Sequence, residues 1–340
     1  MKIGLGSITC QRYPGDLRTD AGLYREALAL AEEAERLGFD SIWCSEHHFF
    51  DDSYLPSLLV LCAALAARTS GIAIGTDVLL SPLHEAVRIA EDAAVVDLVS
   101  GGRLILGIGQ GWRPEEFEGL GVPLRGRHRL FEEQVAVLRQ AWSDGVVMGG
   151  ELRPYPGMPV TPKPLQPGGP PIWIGAGAEP AVRRAGRIAD GFMATWCTPE
   201  SFACQVGWVR EELEKARRDP DGFALSVVVP VLAWEDTGVW ERAREHLWYY
   251  AWKYEDLAEA RGRTGPPPLP PPLPAKREEE LRRFCVLGTP DEVAERLRAY
   301  DEAAGGGVHL IAELVWPGLD PGLRAEAIAL LAERVLPQLR

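Results

Sequence analysis

The chain has 340 residues and a formal net charge of −13, with 46% hydrophobic and 25% charged residues. That balance excludes a disordered chain, a collagen-like repeat and a disulfide-dense miniprotein. The acidic surplus also argues against a nucleic-acid partner, which needs basic surface to release counterions.

The first residues, MKIGLGSITC, lack the pattern of a secretory signal, and none is expected. The longest apolar run, Leu58–Ala67, is ten residues, too short to cross a bilayer. Six Cys stand at 10, 44, 62, 197, 204 and 285 with no C-x-x-C pair. Most lie in apolar stretches, which predicts reduced, buried thiols and a cytoplasmic protein. The chain has no Asn, and 31 Arg against 5 Lys. Thermal adaptation and GC-rich coding both fit that bias.

By length alone the chain suits two domains, or one (β/α) barrel of about 250 residues with insertions. Alternation decides for the barrel. A first strand is predicted at Lys2–Thr9 and a helix at Asp20–Leu37, where Leu23, Ala27, Leu30, Ala34 and Leu37 recur at spacings of three and four. Gly38 stops that helix. The second strand is Phe39–Cys44 with helix Pro56–Ala67, and the third is Ile72–Leu80 with helix Pro82–Val99. The fourth, Leu104–Ile108, leads through a long connection to helix Arg127–Trp142. Strand Ile172–Gly175 precedes helix Glu179–Ile188, and strand Gly191–Thr195 precedes helix Pro199–Arg217. Strand Leu225–Leu232 precedes helix Gly238–Arg261, and strand Val308–Leu314 precedes helix Pro321–Leu339. Eight βα pairs in order imply a parallel sheet with right-handed crossovers, closing as a single-domain (β/α)8 TIM barrel. Two proline-rich insertions interrupt it, at 145–171 and 265–274, and Ala275–Ala303 reads as additional helix.

In such a barrel the chemistry sits at the C-terminal ends of the strands. The second strand ends in Ser45-Glu46-His47-His48. His titrates near neutrality and can donate or accept a proton, so His47 is the candidate catalytic residue. The competing reading is a histidine that only caps a loop. Gly175-Ala176-Gly177-Ala178 joins a strand to a helix that opens at Glu179. Such a turn offers backbone N–H groups to a phosphate, though tight-turn geometry alone also explains the glycines. Gly107-Ile108-Gly109-Gln110-Gly111-Trp112 has Trp where a dinucleotide fingerprint needs its third Gly. His84-Glu85-Ala86-Val87-Arg88 lacks the second His of a zinc helix, and no G-x-S-x-G elbow or Walker loop occurs. His47, His48, His309 and Glu313 form the one conceivable metal set, and no metal is expected.

Taken in order, several segments resemble the luciferase-like monooxygenase family over nearly the whole chain. They are Phe39–Trp43 with Glu46-His47-His48-Phe49; Ile74-Gly75-Thr76; Arg88–Asp92 with Leu98–Arg103; Gly107–Trp112 with Glu116-Phe117 and Gly121; Pro171–Ala176 with Ala189-Asp190-Gly191; and Val286–Pro290. The resemblance implies a TIM barrel that binds FMN, or in some branches a deazaflavin coenzyme, at the strand C-termini. It places His47 beside the flavin ring with Glu46 next to it. It implies a bulge in the third strand, often with a non-proline cis peptide, at Asp77-Val78. It assigns Gly109, Gln110, Gly175, Ala176, Gly177 and Ala178 to the cofactor, with the last four at its phosphate. Bacterial luciferase carries Arg where this chain has Gln110, so one phosphate cation is missing, and Arg127, His128 and Arg129 are the candidates to compensate. Relatives commonly carry His-Pro where this chain has Glu85-Ala86. Asp77 is unusual as ring support, because a carboxylate beside anionic reduced flavin is repelled unless protonated or turned away.

The activity implied is an FMN-dependent monooxygenase acting on a small organic molecule with dioxygen, the flavin supplying the oxygen chemistry. A deazaflavin-dependent dehydrogenase or reductase on the same barrel is the alternative, and a non-catalytic flavin-binding protein the third. The Glu-His-His-Phe string leans toward FMN, and an intact His47 argues against the third. No reductase domain is visible, so a separate flavin reductase or a bound nicotinamide must deliver the electrons. Trp112, Trp196, Trp234 and Trp316 suggest an apolar substrate pocket or mere rim packing. A homodimer through Leu58–Ala67 and the third helix is expected, and no membrane partner.

Overall fold

The computed structural model describes residues 1–236, 238–259 and 269–340. Its centre is a closed barrel of eight parallel strands. They are β1 Lys2–Ile8, β2 Ser41–Cys44, β3 Ala73–Thr76, β4 Leu104–Gly109, β5 Ile172–Gly175, β6 Gly191–Thr195, β7 Ala224–Ala233 and β8 His309–Glu313. Each pairs with the next, and β8 closes on β1 with Lys2 opposite His309 and Gly6 opposite Glu313. The helices that follow them are α1 Asp20–Arg36, α2 Leu58–Arg68, α3 Ala86–Ser100, α4 Arg127–Trp142, α5 Glu179–Ile188, α6 Pro199–Lys215, α7 Val239–Glu259 and α8 Pro321–Leu330. This is the expected TIM barrel.

The helix periodicity has its expected cause. In α1 the buried residues are Leu23, Ala27, Ala31 and Ala34, one stripe against the strands. Thr19 caps the helix by accepting from Gly22 N at 3.1 Å. None of the described helices is long and apolar enough to cross a membrane. Five of the six cysteines are buried thiols, and Cys204 is exposed.

Two elements differ from the sequence reading. The third strand is not continuous. It stops at Thr76, and Leu79–Leu80 resume pairing opposite Ile108–Gly109 after a break at Asp77–Val78. The Asp77–Val78 peptide is cis, as the resemblance implied, and so is Gly6–Ser7. The predicted single helix Ala275–Ala303 is two helices, Ala275–Phe284 and Pro290–Ala304, around a short strand Val286–Gly288 that pairs in parallel with the end of β7. Pro290 cannot sit inside a helix, and Thr289 with Glu292 builds a capping box that starts a new one. The insertion at 145–171 contains an antiparallel hairpin of Val147–Gly149 and Pro154–Met158. In the proline-rich stretch 265–274, residues 265–268 lie outside the described residues.

The lower half of the barrel is filled. Trp43 and Trp173 stack with ring centroids 5.4 Å apart, packed with Met193, Val228 and Ile311. Glycines on neighbouring strands make room for them. A Cβ at Gly75 would lie 2.2 Å from the Trp43 ring, and one at Gly191 2.6 Å from Trp173. His309, at the start of β8, meets Ser41 Oγ at 2.6 Å through Nε2. Side chains thus close the N-terminal end and leave the C-terminal end open.

Candidate active site

A cavity of about 550 Å³ occupies the C-terminal end of the barrel. Ser7, Glu46, His47, Asp77, Val78, Gly109, Gln110, Gly175, Ala176, Gly177 and Glu313 all line it. The residues nominated from different strand ends are thereby brought to one place. Arg127 and Ala178 are not among the lining residues.

His47 follows directly from the end of β2, and its ring is buried. Its Nδ1 lies 2.7 Å from Glu116 Oε1. Glu116 sits on a short helix, Pro114–Gly119, in the β4–α4 connection, and is itself fully buried. The same carboxylate oxygen accepts from the His48 backbone N at 2.8 Å. A buried carboxylate on one ring nitrogen fixes the tautomer and leaves Nε2 as the free, proton-exchanging atom. Tyr54 packs edge-on against the His47 ring at 4.9 Å, with Tyr254 at 5.6 Å and Trp112 at 6.2 Å. Glu116 was missed as His47's partner. It is 69 residues away, and its one signal was its place in the motif Glu116-Phe117.

Glu46 and His48 flank His47 and meet each other. Glu46 Oε1 lies 2.8 Å from His48 Nε2 and 2.6 Å from His84 Nε2. Burial acts to raise the Glu46 carboxyl, but these two bonds outweigh it and hold it below its ordinary range. Desolvation acts to lower His84, and the Glu46 contact outweighs that and raises it. The three residues could also ligate a metal ion, their ligand atoms lying within 4.8 Å of one another. The set suggested by the sequence does not assemble, because His309 lies at the opposite end of the barrel.

Behind the break in β3, Asp77 turns toward Ser7, whose Oγ donates to Asp77 Oδ2. Glu313, at the end of β8, accepts from Trp196 Nε1 at 2.5 Å and from the Tyr250 hydroxyl at 3.2 Å. Trp196 holds a left-handed backbone, φ 47°, that a tryptophan adopts only when its surroundings enforce it. Burial pushes Asp77 up to about 7, against the bond from Ser7. Burial, then the nearby Asp77, pushes Glu313 up to about 8.

Across the cavity, Ala176 N donates to Met193 O at 3.1 Å, pinning the turn to β6. Val78 packs into space that only glycine leaves. A Cβ would meet its methyls at 2.5 Å from Gly109 and 2.7 Å from Gly175. Gly177 differs: a Cβ there meets nothing within 4 Å. The turn is therefore an open cradle at the N-terminus of α5, a suitable anion site. Arg127 is committed elsewhere, its Nε donating to Gly111 O at 2.9 Å.

The far wall comes from α7 and the helix Ala275–Phe284. Lys253 on α7 pairs with Asp52 and anchors the loop that carries Tyr54. Burial pushes Lys253 down to about 7, with Asp51 opposing. Arg277, Leu281 and Phe284 line the cavity mouth, and Arg277 pairs with Glu255 and Glu280. Of the four tryptophans suggested for a pocket, Trp112 and Trp196 line the cavity. Trp234 and Trp316 are buried in the surrounding core.

Comparison with known proteins agrees. The family model described as luciferase-like monooxygenase matches residues 3–306. The chain is 31% identical over 163 residues to the oxygenase component of a flavin-dependent trigonelline monooxygenase of Acinetobacter baylyi. That match covers 47% of this chain and 45% of the relative, so the chain spans about half the relative's length. An F420-dependent glucose-6-phosphate dehydrogenase of Nakamurella multipartita is 32% identical over 328 residues, 93% of this chain and 92% of that one. The crystal structure of monooxygenase RslO1 from Streptomyces bottropensis superposes over 100% of both chains with a TM-score of 0.85 at 22% identity. The chain thus belongs to the luciferase-like monooxygenase family, whose members are flavin- or F420-dependent oxidoreductases.

Proposed function

We propose that the protein is an FMN-dependent monooxygenase acting on a small, largely apolar organic molecule. The observation that carries this reading is the convergence, around one cavity, of His47 on Glu116, the Asp77–Val78 break and the open Gly175–Gly177 turn. FMN bound there supplies the reaction of reduced flavin with dioxygen. Val78 and Asp77 would support its ring, and Gly175, Ala176 and Gly177 would hold its phosphate. Glu46, Gly109 and Gln110 complete the wall. His47 Nε2 would move a proton at the flavin or substrate. The aromatic rings of Trp112, Trp196, Tyr254 and Phe284 keep water away.

Charge favours FMN over a deazaflavin coenzyme. Arg277 is the one Lys or Arg among the described lining residues, and two glutamates already engage it. An anion must then be held by backbone N–H groups, which suits one compact phosphate better than a longer acidic tail. The dehydrogenase likeness keeps the deazaflavin as the second reading.

Reduced flavin would come from a separate reductase, the arrangement implied by a relative named as an oxygenase component. Assembly as a homodimer through α2 and α3 is part of the proposal, because Val60, Val95, Leu98 and Val99 expose apolar side chains there. Light scattering that returned a monomer mass at micromolar concentration would refute it. The functional test adds FMN and deazaflavin separately and follows fluorescence quenching, then mixes the reduced complex with dioxygen. Tight FMN binding with oxygen-dependent turnover is expected. Selective deazaflavin binding with hydride transfer and no oxygen consumption would replace this reading with the second.

A further inference from the structure

Glu46 stands in the wall between two cavities. It lines the cavity at the strand ends and also a second one of about 380 Å³, bounded by the start of α2 and by α3. Glu46 is 1% exposed, and its two oxygens are used unequally. Oε1 accepts from His48 Nε2 at 2.8 Å and from His84 Nε2 at 2.6 Å, while Oε2 is buried with no hydrogen-bond partner. A buried carboxylate oxygen without a donor is costly, and native structures supply such an atom with a water or an ion.

The side chains around that oxygen have the spacing of a cation site. His48 follows the end of β2 and His84 follows the turn after Leu79–Leu80, yet both aim Nε2 at one carboxylate. The three ligand atoms lie within 4.8 Å of one another, the one such grouping among the described residues. Two imidazoles on one tetrahedral ion, with metal–nitrogen bonds of about 2.1 Å, stand with their ring centres roughly 5–5.5 Å apart. The His48 and His84 rings are 5.6 Å apart, inclined at 57°. Ligand atoms on such an ion are about 3.3 Å apart, so Oε1 has roughly half an ångström to yield, and the unengaged Oε2 is a second donor. The second cavity reaches both Glu46 and His84 and gives the fourth position to water.

We propose that Glu46, His48 and His84 bind a divalent transition-metal ion of the zinc class, which enters by the second cavity and braces the strand end that carries His47. Two imidazoles and one carboxylate suit a borderline ion, whereas magnesium and calcium take oxygen donors. Each imidazole ligates through its Nε2 lone pair, so the Nε2 proton moves to Nδ1 or leaves to solvent. The ion takes the place of those two protons beside Glu46 and engages Oε2 as well. His47 stays outside the set, with its ring held on Glu116. It nevertheless sits between two of the ligands, and the His48 backbone N donates to the same Glu116 oxygen. Tying Glu46 and His48 to His84 joins the end of β2 to the chain beyond the Asp77–Val78 break.

The metal site does not depend on the flavin reading, and its test uses the full chain without flavin. Chelator-stripped protein titrated with Zn²⁺ in a calorimeter should bind one ion per chain in the micromolar range or tighter, and Mg²⁺ should give no binding heat. His84→Ala and His48→Gln each remove one ligand and should each weaken zinc by about 100-fold, with an unchanged circular dichroism spectrum. Cys204→Ser, at the one exposed cysteine, should bind zinc as wild type does. Zinc should also slow hydrogen exchange at the His47 and His48 amides of the wild-type chain. No heat with Zn²⁺ would overturn the proposal. So would undiminished affinity in both histidine variants, or a loss in Cys204→Ser, since either places the ion elsewhere. Unchanged exchange at the two amides would remove the brace. Failure to bind flavin would strike the proposed function alone, and failure to bind zinc would strike this site alone.

Discussion

The two ends of the barrel each bury a histidine among aromatic rings and polar partners, yet they are opposite devices. At the N-terminal end His309 meets a neutral serine hydroxyl and lies edge-on to Trp43 and Trp173. Burial there, then the Lys2 charge, pushes it down to about 4. Gly4, Gly75 and Gly191 leave there the space that the indoles occupy. At the C-terminal end His47 meets a buried carboxylate and faces open volume. Burial of a histidine therefore says little about function. A charged partner on one nitrogen and space at the other turn it into a reagent.

The largest effect that separates the two ends is on turnover. His47→Ala should lower it by about 10²–10⁴, the usual contribution of one general acid or base. Flavin affinity should change far less, because the proposed phosphate site is the turn at Gly175–Gly177, away from the imidazole. Stopped-flow oxidation of the reduced complex beside a flavin titration reads both. Unchanged chemistry in flavin-saturated His47→Ala would show that the two histidines do not differ as argued.

Next in size is the response to pH, which should run in opposite directions. His309 falls from an ordinary 6.5 to about 4 on folding. The unfolded chain then takes up a proton first as pH drops, so stability is lost between about 6.5 and about 4, by about 3 kcal/mol in all. Glu313 rises from an ordinary 4.5 to about 8, so the folded chain holds the extra proton and stability is lost as pH rises through that window. Thermal melts across pH should show the acid-side loss shrink in His309→Gln and the alkaline-side loss shrink in Glu313→Gln, where the raised Asp77 keeps the remainder. Both losses unchanged in both variants would mean that neither group carries the dependence.

Much of this contrast was legible before any coordinates. The strands announced themselves as short β-branched runs and the helices as stripes such as Leu23, Ala27 and Ala34. Barrel topology then placed Glu46, His47, Gly109 and Gly177 at one end. The break at Asp77–Val78 came from family resemblance, since neither residue type signals it. What stayed hidden was pairing across strands. Ser7 reads as an ordinary strand residue until its hydroxyl is set against Asp77. Glu116 lies in a short helix without periodic signal. The strand Val286–Gly288 is too short to interrupt the helical pattern on either side of it.

The smallest expected effects concern two glycines, and they divide the ends most sharply. Gly75 faces the filled half, where a Cβ would lie 2.2 Å from the Trp43 ring. The Trp43 indole has little room to retreat, because Trp173 and His309 pack against it. Gly75→Ala should therefore cost about 1–3 kcal/mol of stability by overpacking, read from urea unfolding. Flavin binding by the folded fraction should be unaffected. Gly177 faces the open half, where a Cβ meets nothing within 4 Å and the backbone needs no left-handed dihedral. Gly177→Val should leave stability within about 0.5 kcal/mol. It should nevertheless weaken FMN by about tenfold, because the added methyls occupy the space through which a phosphate approaches the backbone. Free-protein stability and flavin affinity would then move independently at the two positions. If Gly177→Val bound FMN as tightly as wild type, the cradle would be a surface turn, and the phosphate would have to be sought among the other residues of the cavity.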